Sequence, residues 1–258
     1  MRLSFAIPAY NEEAYLAACL ESILAQTRDL GEAVEIVVVN NASTDRTREV
    51  ALGYPGVRVV DEPQKGLTFA RQAGFAASTG ELIANVDSDS RLTPGWVQRV
   101  LDEFAADPKL VGLSGPFIYY DMTDSQRLSV RVFYVIAFMV YVINRWVLRA
   151  GSMVQGGNFV LRREGLEKIG GFNTAISFYG EDTDIARRMS QVGKVKFTFR
   201  LKMYSSARRL KKEGTMTMAW RYTVNYFWTT FVKKPYTEEY TDIREQAAAK
   251  PAVVERKS

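Results

Sequence analysis

The residues best suited to chemistry in this chain are carboxylates in two short stretches. Asn85-Val86-Asp87-Ser88-Asp89-Ser90 closes the run Glu81-Leu82-Ile83-Ala84, and an apolar run that ends abruptly in acids reads as a buried strand opening onto a cleft. On an extended backbone Asp87 and Asp89 project to the same side. Two hard oxygen ligands placed so can hold one end of a divalent cation and leave its other positions to a phosphate-bearing substrate. The bland alternative is an Asp- and Ser-rich loop that caps a helix starting at Thr93-Pro94. The second stretch, Gly180-Glu181-Asp182-Thr183-Asp184, opens a helix, where acids also serve simply to complement the helix dipole. There is no histidine among the 258 residues. A general base must therefore be a carboxylate, Lys, Tyr or Cys, and a metal must be held mainly by oxygen.

The elements that must position these groups follow from periodicity. Leu3 to Ile7 is a short apolar strand, followed by the turn Pro8-Ala9-Tyr10-Asn11. Asn11 is placed to cap a helix carrying Leu16, Leu20, Ile23 and Leu24 at helical spacing. Val34 to Val39 is nearly continuous and β-branched, the mark of a strand covered on both faces. It ends in Asn40-Asn41-Ala42-Ser43-Thr44-Asp45, near which a helix begins. A strand over Val57–Val60, a helix over Gly66–Ala77, a strand over Glu81–Val86 and a helix over Thr93–Phe104 complete four strand–helix units. That order predicts an α/β fold with a mostly parallel sheet and helices on both faces. Such sheets bind ligands at the carboxyl ends of their strands, where Tyr10-Asn11, Asn40 to Asp45, Gln64-Lys65 and Asp87-Ser88-Asp89 all fall.

The second half changes character. Leu110 to Tyr120 reads as a strand, Ser129 to Leu148 as an apolar, aromatic-rich helix, Phe159 to Leu161 and Lys194 to Phe199 as strands. From Met216 a helix carries Met216, Trp220, Val224, Phe227, Trp228 and Phe231 on one stripe. Residues 244–258 are polar, Ala-rich and expected to be a disordered tail. Hydrophobic residues make up 47% and charged residues 24%, ordinary for a globular protein. The single cysteine, Cys19, excludes an internal disulfide framework, suits a reducing compartment and falls on an apolar helix face as inert packing. Net charge is +5, which permits anionic partners. No secretory leader is expected, because Met1 to Ile7 runs straight into Pro8. No transmembrane span is expected either, since the apolar run Val132 to Ile143 is short for a bilayer.

The ordered set Ile7-Pro8-Ala9-Tyr10-Asn11-Glu12-Glu13, Val39-Asn40-Asn41-Ala42-Ser43-Thr44-Asp45, Lys65-Gly66 with Ala70-Arg71, Asp87-Ser88-Asp89 and Gly180-Glu181-Asp182 resembles the family 2 glycosyltransferases. These are inverting enzymes of the GT-A fold, Rossmann-like, that use nucleotide-sugar donors. The match runs over roughly residues 1 to 200. The resemblance implies that Pro8, Ala9, Tyr10 and Glu12 cradle the nucleoside. It sets Asp45 on the base or ribose, and Lys65 and Arg71 near the phosphates. Asp87 and Asp89 take the position of the Mn2+ or Mg2+ motif, with Asp89 the direct ligand. Asp182 matches the catalytic base, with Glu181 beside it. Asn40 is expected on the nucleotide too, but it stands where many relatives carry an acid, so base or sugar recognition is expected to differ. Many relatives in that family also place a C-terminal histidine near the diphosphate. Here Arg208 and Arg209, in Ser205-Ser206-Ala207-Arg208-Arg209-Leu210-Lys211-Lys212, are candidates for that role, or else belong to a solvated basic loop. The Gln-x-x-Arg-Trp motif of processive synthases is missing, which favours single transfer.

Displacing a nucleoside diphosphate from an anomeric carbon needs neutralised phosphates and an acceptor hydroxyl deprotonated from the opposite face. Residues 1–205 are read as the catalytic domain, with 1–110 the nucleotide-sugar half and 111–205 the acceptor half, its apolar helix near 129–148. Residues 206–243 are read as a basic loop and an amphipathic helical appendage. A sugar nucleotidyltransferase is the alternative within the fold, and it lacks the Gly-rich loop expected after its first strand. A catalytically inactive membrane-binding scaffold is the alternative outside enzymes. The expected partners are a UDP- or GDP-sugar and a sugar, lipid or lipid-linked acceptor, with no nucleic acid. The apolar helix and the Trp220, Phe227, Trp228, Phe231 stripe, with Lys233-Lys234, Arg145 and Arg149 nearby, suit the headgroup boundary of an anionic membrane. They equally suit packing on each other or across a homodimer. The expected place is the cytoplasm, peripheral on the inner face of the membrane.

Overall fold

The apolar runs become a seven-stranded sheet in the order β3-β2-β1-β4-β8-β6-β9. A computed structural model describes residues 1–143, 153–232, 236–237 and 242. β1 (Leu3–Ala9), β2 (Val34–Asn41), β3 (Val57–Glu62) and β4 (Leu82–Val86) run parallel. β8 (Asn158–Arg162) is antiparallel to both β4 and β6 (Leu110–Ser114), and β9 (Lys194–Phe197) is parallel to β6. The sheet is mostly parallel, flanked by helices, as the alternation of strand and helix patterns requires. A smaller sheet joins β5 (Arg91–Leu92), β10 (Met203–Ser205) and β7 (Phe117–Tyr119).

Period-two alternation decides the layers. Phe5 and Ile7 of β1 face Leu16, Leu20 and Ile23 of α1 (Leu16–Thr27) and Trp96, Val100 and Phe104 of α4 (Trp96–Ala106). Ala6 and Ile83 point the other way. They pack with Leu161, with Leu166 of α6 (Arg163–Lys168) and with Ile185 and Met189 of α7 (Glu181–Val192). On that face α3 (Leu67–Ala77) lays Ala70 on Val37 and Val39. The remaining helices are α2 (Thr47–Leu52), α5 (Asp124–Ile143), α8 (Arg208–Glu213) and α9 (Thr215–Val232).

Several boundaries differ from the sequence reading. Asn11 does not cap α1, which starts at Leu16; it sits at φ +51° and accepts the Thr44 backbone N–H at 2.8 Å, tying the loops after β1 and β2 together. The stretch over Leu110–Tyr120 is two strands in different sheets, because Pro116 has no N–H to continue a ladder. α5 begins at Asp124, earlier than expected, behind a reciprocal cap. Thr123 Oγ1 accepts the Gln126 N–H at 3.4 Å while Gln126 Oε1 accepts the Thr123 N–H at 3.0 Å. With that extra turn, Asp124–Val142 is long and apolar enough, by length and composition alone, to cross a bilayer, contrary to the expectation from the shorter run. The far end of the helix expected near 148 and the 244–258 tail lie outside the described residues.

The α9 stripe is inverted. Trp220 (70% exposed), Phe227, Trp228 and Phe231 are exposed, while Met218, Asn225, Thr229 and Thr230 are buried. On α5, Val132, Val135, Ile136 and Met139 (61% exposed) are exposed as well, while Tyr134 and Tyr141 cluster with Phe197.

Candidate active site

The parallel strands β1, β2 and β4 end on the same side, and their exits line a cleft of about 1260 Å³, open mouth included. Of the residues singled out from sequence, the cleft gathers Pro8, Ala9, Tyr10, Glu12, Lys65, Arg71, Asp87, Asp89, Glu181, Asp182, Arg208 and Arg209. It does not gather Asn40 or Asp45. Asn40 Nδ2 donates to Asp61 at 2.8 Å. Asp45 holds the loop before α2, accepting from the Thr47 backbone N–H at 2.9 Å and the Glu13 N–H at 3.1 Å. The neighbouring Asn41 is the one that lines the cleft; its Oδ1 accepts the Gly66 N–H at 2.8 Å and its Nδ2 donates to Gln64 O at 2.7 Å.

One wall is the end of β4. Asp87 turns back through a 2.9 Å bond from the Ser90 N–H to its carbonyl. Gly157, at φ +80°, lies so close that any side chain there would collide with the Asp87 carboxylate, so glycine is required for both conformation and space. The opposite wall is the start of α7, where Thr183 N–H donates to Asp182 Oδ1 at 2.8 Å. Arg71 of α3 joins the walls from below. It is 1% exposed, and its Nη2 lies 3.3 Å from Asp87 Oδ1 and 3.2 Å from Glu181 Oε1, with the guanidinium over the Phe159 ring at 5.0 Å. The resemblance sets Arg71 near phosphates; in the structure it lines the cleft while paired with two carboxylates.

Electrostatics differ between the walls. Burial pushes the Glu181 carboxyl up to about 7; Arg71 opposes that shift, and the charges of Asp182 and Asp87 add to it. Burial also raises the Asp182 pKa, against hydrogen bonds from the backbone that favour the ionised form. Raised carboxyls in a cleft are the condition for accepting a proton near neutral pH.

The rim carries the cations. Lys65 Nζ donates to Tyr10 Oη at 2.8 Å and to Asp242 Oδ2 at 2.9 Å. Arg208 pairs with Glu12, and its Nε lies 3.1 Å from Asp89 Oδ2. Burial works against its charge, but Asp89 and Glu12 more than offset this and hold its pKa above the usual value. Arg209 is bonded to Glu213 Oε1 at 2.6 Å, over the Phe178 ring. Among the described residues no group of three or more acidic, His or Cys side chains forms a metal cage. Asp87 and Asp89 nonetheless fit a hard divalent ion that takes its other ligands from phosphate and water, and Asp89 already draws a cation to itself.

The sequence reading missed the aromatic side of the cleft: Phe117, Tyr119, Phe178, Tyr179 and Tyr222. Tyr222 comes from α9, where no local pattern marks it, and lines the cleft while staying partly exposed.

A sequence family described as "Glycosyl transferase family 2" matches residues 4–170, and one described as "N-terminal domain of galactosyltransferase" matches residues 143–213. The chain is 36% identical over 104 residues to the uncharacterized glycosyltransferase YibD of Escherichia coli (strain K12), covering 39% of this chain and 29% of that protein. It is 37% identical over 113 residues to the chondroitin synthase of Pasteurella multocida (strain Pm70), covering 42% of this chain and 11% of the relative. The first of these matches spans about a third of the relative's length. In structure, the chain is similar to the mannosyltransferase PcManGT from Pyrobaculum calidifontis, solved with GDP-Man and Mn2+. The TM-score is 0.65 at 23% identity, over 90% of this chain and 63% of that one. It is also similar to the glucosyl-3-phosphoglycerate synthase of Mycobacterium tuberculosis, solved with Mn2+ and UDP-Glc, with a TM-score of 0.60 at 19% identity over 89% and 78%. The fold is GT-A.

Proposed function

The chain belongs to glycosyl transferase family 2, and from that premise we propose that it moves a sugar from a nucleoside-diphosphate sugar to an acceptor hydroxyl by one inverting displacement. The observation that carries this reading is the pair of carboxylate stations facing one cleft, Asp87/Asp89 on one wall and Glu181/Asp182 on the other. Asp182 takes the acceptor proton as the hydroxyl oxygen attacks the anomeric carbon, and the bond from that carbon to the diphosphate oxygen breaks. A bound Mn2+ or Mg2+, held by Asp89 with Asp87, would neutralise the leaving diphosphate. Lys65, Arg208 and Arg209 supply cations on the same rim, and Pro8, Ala9, Tyr10 and Glu12 form the nucleoside wall. The similar structures hold UDP-Glc or GDP-Man with Mn2+, which supports a UDP- or GDP-sugar as donor.

The acceptor side carries a second part of the reading. α9 lines the cleft with Tyr222 and exposes Trp220, Phe227, Trp228 and Phe231, and α5 places Tyr134 on Gln155 of the cleft wall at 2.9 Å while exposing Val132, Val135, Ile136 and Met139. These outward faces support a peripheral enzyme on the inner face of an anionic membrane, acting on a lipid or lipid-linked acceptor. Tyr134 and Tyr141 cluster with Phe197 on one side of α5, which supports a helix lying along the membrane surface rather than crossing it.

Turnover of UDP-Glc and GDP-Man panels, with Mn2+ and after EDTA, tests the main reading. Metal-dependent release of nucleoside diphosphate with an inverted anomeric product is expected. Release of pyrophosphate would indicate a nucleotidyltransferase, and no turnover of any donor a scaffold.

A further inference from the structure

Arg208 holds two carboxylates at once. Glu12 is fully buried and Asp89 is 14% exposed, and the guanidinium pairs with the first through Nη2 and lies 3.1 Å from the second through Nε, over the Tyr15 ring at 4.6 Å. The backbone that delivers it is pinned by Asp121, which accepts the Ala207 N–H at 2.7 Å, the Ser206 hydroxyl at 3.2 Å and Lys211 Nζ at 3.1 Å. The other cleft cations lean on other acids: Arg71 on Asp87 and Glu181, Lys65 on Asp242, Arg209 on Glu213.

We infer that Arg208 competes with the divalent ion for Asp89, and that the ion's arrival swings the guanidinium onto the donor's diphosphate. This rests on the donor reading above. A carboxylate that bound a divalent ion at ~2.0–2.6 Å while keeping the Nε contact would hold two cations within a few ångströms of each other. The Glu12 contact is the pivot: breaking it would leave a fully buried carboxylate without its guanidinium, which is costly, whereas the Asp89 contact is compensated by the ion that replaces it. A planar guanidinium released beside a diphosphate meets the anion it fits best, through two parallel N–H···O bonds.

Mn2+ titration followed by electron paramagnetic resonance, without nucleotide, on wild type and Arg208→Gln tests the competition. UDP and GDP titrations at saturating Mn2+ test the transfer. The variant should bind Mn2+ about tenfold more tightly and the nucleoside diphosphate about tenfold more weakly, within the usual span of coupling between sites. A purely structural Arg208 would weaken both, so unchanged or weaker Mn2+ binding overturns the inference. The wild-type Arg208 Nε–H resonance, assigned by its loss in Arg208→Lys, gives a second readout if Arg208→Gln does not fold. Mg2+ alone must shift it, and an unmoved resonance overturns the inference too. If neither protein binds Mn2+, UDP or GDP, the donor reading falls and takes this one with it. If both bind them without opposed changes, only this inference falls.

Discussion

The cleft and the pair of helices α5 and α9 depart from ordinary burial in opposite directions. The cleft withdraws charge: Arg71, Glu12 and Glu181 are buried, and the Glu181 pKa climbs to about 7 because of it. The helices do the reverse. Trp220, Trp228 and Phe231 are exposed while Asn225, Thr229 and Thr230 of the same helix are buried. Burying a carboxylate costs stability unless a cation accompanies it, and exposed apolar surface forgoes about 25 cal/mol per Å². Between these regions the sheet obeys the usual rule, with Phe5, Val38, Leu82 and Val160 all buried. The contrast teaches where to look for ligands: charge held inside asks for a charged, hydrogen-bonding substrate, and aromatics held outside ask for an apolar surface.

The largest expected effects lie in the cleft. Asp89→Ala should reduce transfer to background, because on the proposed reading it removes the carboxylate that would hold the metal, in the turn after β4, rather than core packing. Asp182→Asn should lower turnover by ~10²–10⁴, the usual value of a general base, while nucleoside diphosphate affinity stays within about twofold. An Asp182→Asn enzyme that lost nucleotide binding yet kept its turnover at saturating donor would show the base misassigned.

Next comes the direct comparison of inward and outward apolar side chains. Leu20→Ala, under the sheet, should cost about 2–5 kcal/mol in denaturant unfolding. Trp220→Ser, on the outer face of α9, should change stability by no more than about 0.5 kcal/mol, as exposed sites do. Equal losses would mean that α9 is covered by protein in solution.

The strand ends were legible because their chemistry is local. The extended backbone expected to aim Asp87 and Asp89 the same way is a turn instead, closed by the Ser90 N–H on the Asp87 carbonyl, and that turn still brings both to one cleft; a β-branched run such as Val37-Val38-Val39 has few places to go but a covered strand. Fold class followed from the alternation of such runs with helical patterns. What was not legible depends on contacts distant in sequence. The resemblance alone put Arg71 near the phosphates; its pairing with Glu181 is fixed only when β8 and the turn before it bring Phe159 and Gly156 alongside. Asn40 and Asn41 are chemically identical in sequence, and strand register alone decides that Asn41 faces the cleft and Asn40 meets Asp61. The orientation of α9 escaped because a helix stripe has no sign: the pattern identifies an apolar face without saying whether protein lies under it.

Membrane binding gives a smaller effect than loss of a catalytic group. Wild type should co-sediment with anionic liposomes at low salt, where attraction is least screened. Replacing Trp220, Phe227, Trp228 and Phe231 together by Ser should weaken that partition by tenfold or more, since each removed aromatic forgoes burial worth about 25 cal/mol per Å². The variant's transfer to a soluble acceptor should be unchanged. A wild type that stays in the supernatant, or a concentration-dependent dimer abolished by the same substitutions, would assign these faces to protein.

The smallest expected effect tests whether the cleft really stores unfavourable charge. Glu181 has its folded pKa raised from an ordinary 4.5 to about 7. Between those values the folded protein keeps a proton that the unfolded chain releases, so wild-type stability must fall as pH rises through that window and flatten above it. Glu181→Gln has no such proton. Its unfolding free energy should therefore lack this part of the slope, and the difference between variant and wild type should grow in the variant's favour from pH 5 to pH 8. A shift of this size corresponds to at most ~3–4 kcal/mol, and sharing of charge with Arg71, Asp87 and Asp182 brings the expected change to on the order of 1–2 kcal/mol. Only the slope is diagnostic, because the substitution also alters the bond to Arg71 at every pH. Urea titrations in EDTA at four pH values measure it. Parallel curves for the two proteins would mean that Glu181 stays ionised throughout, held so by Arg71, and that the cleft buries its charge without strain.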